Sequence, residues 1–248
     1  MNSLRKMDGT AVPQMKSVKI KSWKGWLAPA LLLALGLLNV LSGALQLGTI
    51  QQGPPAVPDQ FTSMHYFAMP IPIVLHIVSG IILNLLGPMQ FAPVFLQRWP
   101  RWHRWSGRLL IVAGFFTGLT GLWMNQFYPA YGGALKYSGI VVNSVGLMVA
   151  MGIALQAIRI RNFKQHKIWM MRAIAFGLGP ATQRLFFLPI FFITGSVNES
   201  LIGFVIWFGF GLNLIVVEWV LRRNRKRKLE HPGKEQSSTV LKESWRNS

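Results

Sequence analysis

A stretch with the length and composition of a membrane span carries three side chains able to do chemistry. Residues 166–190, HKIWMMRAIAFGLGPATQRLFFLPI, include Arg172, Gln183 and Arg184. An arginine near the middle of a helix in lipid costs about 2.5 to 3.5 kcal/mol on insertion scales, so one that is retained faces protein, water or a ligand. A guanidinium so placed is suited to hold an anionic group or a carbonyl oxygen. At about 1.5 Å per residue, Gln183 and Arg184 fall about 6 to 8 Å from the external end of their span, and His76 about 9 Å below the external end of its own. Asn143 lies at a similar level. These four residues are expected to form an embedded polar site open to the outside.

A second group belongs to the inner face: His103, Arg108, His166, Arg172 and Glu218. Glu218 and Arg172 lie three and four residues from the inner ends of their spans, so a shared depth and an ion pair are expected. His103 and His166 are candidate axial ligands of a haem b, since haem iron takes imidazole readily. Both stand beside helix ends. An outer haem at His76 would lack its second ligand, because Asn143 occupies the corresponding place. Glu218 is the single acid inside a span, so acid/base catalysis by paired carboxylates is excluded. We find no phosphate-cradling glycine loop, HExxH or nucleophile elbow, and no catalytic residue is assigned. The chain has no cysteine, which excludes disulfides, thiolate metal sites and cysteine nucleophiles.

The elements that must position these groups are read from hydropathy and charge. The 248 residues are 51% hydrophobic and 13% charged, with a net charge of +19. In a soluble protein that charge would point to nucleic acid, but the basic residues cluster at the ends of apolar blocks. They fall at 5–24, 98–108, 159–172 and from 222 onward, with only Lys136 and Arg184 elsewhere, while the acids Asp59 and Glu199 sit in the basic-poor connections. This is the positive-inside pattern of a multi-pass membrane protein, and no nucleic-acid partner is expected.

The fold class is all-α: a bundle of six transmembrane helices with both termini cytoplasmic, in the inner membrane of a bacterial cell. Spans are expected at 26–47, 69–95, 109–127, 137–158, within 166–190, and at 200–221. Residues 1–25 form a basic cytoplasmic arm, 26–221 the transmembrane domain and 222–248 a basic, disordered cytoplasmic tail. Gly87-Pro88 and Pro93 interrupt the inner half of span two, and Gly177, Gly179 and Pro180 predict a bend in span five that deprives the Phe176 carbonyl of its partner. Gly114 and Gly118 form a GxxxG pair for close helix approach. Tyr128, Tyr131 and Tyr137 mark one membrane interface, and Trp99, Trp102, Trp105 and Trp169 the other.

The segments before spans three and five share an order of residues. One reads His103, Arg104, Trp105, Arg108 and the other His166, Lys167, Trp169, Arg172. Spans two-three and four-five are therefore candidate related hairpins, with coincidence in basic, tryptophan-rich loops the alternative.

The same residues carry a family resemblance. HKIWMMRAIAF followed by QRL and a proline, LHIVSGIILNLLGPMQF, and HRWSGRLL resemble three ordered blocks of the predicted membrane proteins grouped as domain-of-unknown-function family 2306. The match runs from about His76 to Pro189. It implies a bacterial multi-pass membrane protein and brings no activity with it.

The residues thus leave three functions open. One is a redox-linked membrane protein interacting with a quinone or haem. A second is a carrier or channel for a small anion, and a third is a non-catalytic membrane or assembly factor in the lipid bilayer.

Overall fold

A computed structural model describes residues 24–55, 64–128, 132–196 and 198–230 of the chain. The described residues are helical throughout, with no strand among them, and six helical segments are long and apolar enough to cross a membrane. The helices are α1 (Lys24–Gln52), α2 (His65–Ala68), α3 (Pro70–Met89), α4 (Pro93–Gln97), α5 (Pro100–Phe127), α6 (Gly133–Arg159), α7 (Phe163–Gly177), α8 (Gly179–Thr194) and α9 (Glu199–Glu230). We call the basic-poor end, which carries Gln52, Pro70, Phe127, Gly133, Thr194 and Glu199, the outer end.

Several boundaries differ from the sequence reading. Gly87-Pro88 does not end span two: α3 runs through both to Met89, and the interruption comes after it, with α4 a separate short helix. The α3–α4 step is tied to α5 where Gln90 Nε2 donates to Ser106 Oγ at 2.7 Å. The tryptophan-rich connection is itself helical, because Pro100 is accommodated in the first turn of α5, where a missing N–H costs nothing. His103 and Arg108 therefore lie on the span. α9 continues nine residues beyond Leu221, through the exposed basic residues 222–227. Of the expected cytoplasmic arm, residues 1–23 lie outside the described residues, as do Tyr131 and the tail from 231.

In lipid, helices associate by close packing and by polar contacts, with no hydrophobic drive between them. Small residues set the approach of α5 to α6: a β-carbon at Gly114 would come within 2.9 Å of Met151, and one at Gly118 within 2.5 Å of Met148. Leu83, Leu110, Leu147, Met151, Met170 and Ile174 close the central core between α3, α5, α6 and α7. A smaller cluster of Ile73, Ile77 and Tyr128 closes the outer end. Tyr128 is buried and donates its hydroxyl to the Met69 carbonyl at 2.6 Å, so it ties α5 to α3 and does not face the membrane interface. Burial holds the Tyr128 and Tyr66 hydroxyls above their ordinary pKa.

Span five divides as its glycines and proline imply. α7 packs on α6, α9 and α3, whereas α8 turns away and finds its neighbours in α9 and α1. Asn213 of α9 clasps the division. Its Nδ2 donates to the Ala175 carbonyl at 3.1 Å and its Oδ1 accepts from the Thr182 hydroxyl at 2.9 Å. The side-chain donor thus serves Ala175, where the sequence pointed to Phe176. α1 lies on the flank of the bundle, with only 6% of its apolar window buried. It touches α3 at two glycines, Gly36 against the Asn84 carbonyl and Gly43 against Ile77.

Candidate functional site

Arg184 stands ten residues from the outer end of α8, about 15 Å. That is twice the depth read from the sequence, because the helix runs on past Pro189 to Thr194. Its Nη1 donates to Asn39 Oδ1 at 2.5 Å and to the Pro180 carbonyl at 3.1 Å. Asn39 Nδ2 in turn donates to Asn84 Oδ1 at 3.0 Å, and Asn84 Nδ2 to the Gly80 carbonyl at 2.8 Å. A chain of amides therefore fixes the guanidinium from α1 and α3. Both of its acceptors are neutral, and the Arg172–Glu218 contact is the one salt bridge among the described residues. Among the described residues no carboxylate balances the Arg184 charge.

His76 is held from α5. Its Nδ1 lies 3.1 Å from both the Thr117 carbonyl and Thr120 Oγ1. A carbonyl only accepts, so Nδ1 carries the proton and Nε2 keeps its lone pair. The surrounding hydroxyls are satisfied: Thr120 donates to the Phe116 carbonyl at 2.5 Å, Thr117 to Ser79 at 2.9 Å, and Ser79 to the Leu75 carbonyl at 2.7 Å.

The four residues expected to form one site are distributed around it. Asn143 makes no hydrogen bond, and its Oδ1 is shut against Gly179, where a β-carbon would sit 3.3 Å away. Gln183 faces α9, its backbone nitrogen and β-carbon 3.1 and 3.2 Å from the place of a Gly209 β-carbon. It is Asn39, itself bonded to Asn84, and not Gln183 that meets Arg184. Asn39, Asn213, Thr117 and Thr120 were not singled out from sequence, although Asn39 and Asn213 are visible there as lone amides inside apolar runs.

At the inner face, Arg172 Nε meets Glu218 Oε1 at 2.7 Å, the pair expected from depth. The guanidinium also lies over the Trp169 ring, 4.5 Å from its centroid. His103 and His166 are each the fourth residue of their helices, α5 and α7. His166 Nδ1 donates to the Ala154 carbonyl at 2.8 Å, leaving Nε2 free, while His103 Nδ1 is buried without a partner. Arg108 is exposed. No group of three or more metal-binding side chains occurs among the described residues.

A search of curated proteins and a search of solved structures each found no match to the chain. The family described as predicted membrane protein (DUF2306) matches residues 73–221, from α3 to α9, leaving α1 outside the matched region. That match takes in more than half of the chain and, apart from Asn39, both polar clusters, and the protein belongs to this family of membrane proteins.

Proposed function

We propose that the outer half of the bundle binds a lipid-soluble molecule of the quinone class, with Arg184 as its anchor, and that the protein serves a redox-linked role in the membrane. The observation that carries this reading is the guanidinium held by two neutral oxygens with no carboxylate beside it. Nε and Nη2 are left to donate to an oxygen of the bound molecule, and in a low-dielectric site such charge-assisted bonds are about twice as strong as neutral ones.

The test is binding of a decyl-substituted benzoquinone to the full chain in lipid nanodiscs, followed by tryptophan quenching. Saturable quenching is expected, weakened at least tenfold in Arg184→Gln and retained in part in Arg184→Lys. Equal binding by Arg184→Gln and the native chain would overturn the reading.

The uncompensated charge supports a second reading, capture of a small anion for transport. Chloride or nitrate flux into proteoliposomes that Arg184→Gln abolishes, with no quinone binding, would select it.

A further inference from the structure

Gly80 differs from the other residues of its helix face. Ile73, Ile77, Gly80, Asn84 and Gly87 lie at offsets 0, 4, 7, 11 and 14, one stripe of α3. Ile73, Ile77, Asn84 and Gly87 are buried, and a β-carbon at Gly87 would come within 2.5 Å of Ile174. Yet a β-carbon at Gly80, between them, would meet no atom within 4 Å. Gly80 is itself partly exposed, so this stripe of the helix opens there on accessible space.

The surroundings of that space form a closed circuit of contacts. α3 reaches α5 through His76 and Thr117. α5 reaches α6 where Gly121 faces Ser144 Oγ, 3.0 Å from the place of a β-carbon. α6 reaches α8 through Asn143 and Gly179, α8 reaches α1 through Arg184 and Asn39, and α1 returns to α3 through Asn39 and Asn84. Gly80, Thr117, Asn143 and Arg184 each stand ten residues from the outer end of their helices, counted from Pro70, Phe127, Gly133 and Thr194. At about 1.5 Å per residue, each lies about 15 Å along its own helix from that end. α8 packs mainly on α9 and α1. The open space is bordered by these five helices.

We infer that this chamber in front of Gly80 is the seat of the ring proposed above, and that it selects the reduced, hydroxyl-bearing form of the molecule. The inference rests on the quinone-class reading of Arg184. The polar groups offered to a ligand are of two kinds. Arg184 can only donate, while His76, whose Nδ1 proton is committed to α5, presents Nε2 as an acceptor one turn from Gly80. A quinol satisfies both, one hydroxyl donating to His76 and the oxygen of the other accepting from Arg184. An oxidised quinone has two acceptors and leaves Nε2 without a donor. A buried acceptor left unpaired in this way weakens binding by about tenfold or more.

The experiment compares the decyl benzoquinone with its hydroquinone, under anaerobic conditions, on the full chain in nanodiscs. The native protein is expected to bind the hydroquinone at least tenfold more tightly. Gly80→Leu, whose side chain enters empty space, is expected to abolish binding of both forms with its thermal transition unchanged. His76→Phe is expected to bring the two affinities together while quinone binding persists; this variant decides the matter should Gly80→Leu fail to fold. If Arg184→Gln weakens binding but Gly80→Leu binds as the native chain does, the chamber is wrong and the anchor stands. Equal native affinities, or a hydroquinone preference surviving in His76→Phe, overturn the inference. A native chain that binds neither form removes the proposed function itself.

Discussion

Arg184 and Arg172 show how the same side chain is settled in two ways. Arg172 lies near the inner face, half-exposed, with Glu218 and the Trp169 ring as partners. Exposed pairs of this kind contribute about 0.2 to 1 kcal/mol. Glu218→Gln should therefore lower the thermal transition in detergent only slightly, and a large loss would assign the pair a further role. Arg184 has neutral partners alone among the described residues, and its proposed role as a ligand anchor rests on that uncompensated charge. Tyr128 is a third case. Its hydroxyl bonds the Met69 carbonyl and is held protonated beyond the ordinary tyrosine range by burial and by Tyr66. The bond's stabilisation is complete below about pH 10, the unfolded value, and declines as pH rises from there through the higher folded value. Tyr128→Phe should cost about 0.5 to 1.5 kcal/mol at neutral pH, with a loss that shrinks in alkaline buffer.

Among the elements, the divided fifth span decides the architecture. Asn213 bonds both sides of the break, to Ala175 and Thr182, each of which is otherwise buried. Asn213→Ala leaves a carbonyl and a hydroxyl without partners, and a loss of about 1 to 3 kcal/mol is expected in thermal or denaturant unfolding. Asn213→Asp restores only the acceptor for Thr182 and should recover part of it. The break itself was legible in Gly177, Gly179 and Pro180, because backbone chemistry is local. Its clasp was not, since a lone Asn in an apolar run does not name its partner. The same holds for Asn39. Arg184 stood out by its charge, but whether Gln183 or Asn39 would join it depended on the direction in which α8 leaves the break. Gly80 shares one face of its helix with His76, Asn84 and Gly87 by spacing alone. That it faces empty space could be learned only from the positions of five helices.

For the whole molecule, six spans read from hydropathy agree with six membrane-length helical segments, although their ends shift by several residues. Hydropathy records apolar length, whereas helices run on into polar ground, as α5 and α9 do at the basic face. The orientation in the membrane is a separate expectation resting on the basic residues. With no native cysteine, single substitutions can test it directly. Gln51→Cys and Ser196→Cys should react with an impermeant maleimide in intact cells. Lys164→Cys and Arg101→Cys should react only after permeabilisation. The reverse pattern would invert the protein and place the chamber nearer the cytoplasm.

The bond from Arg184 to Asn39 joins positions 145 residues apart. At about 5 to 20 residues per second, α1 waits about 7 to 30 s in the membrane before the ribosome has made its arginine partner. For most of that interval the Asn39 carboxamide has Asn84 for company, made only 45 residues after it. The first and second spans can thus dock as an early hairpin, and the fifth arrives at a socket already built. Nascent chains halted before α8 should hold the Asn39–Asn84 contact, which a crosslink between the two spans would reveal.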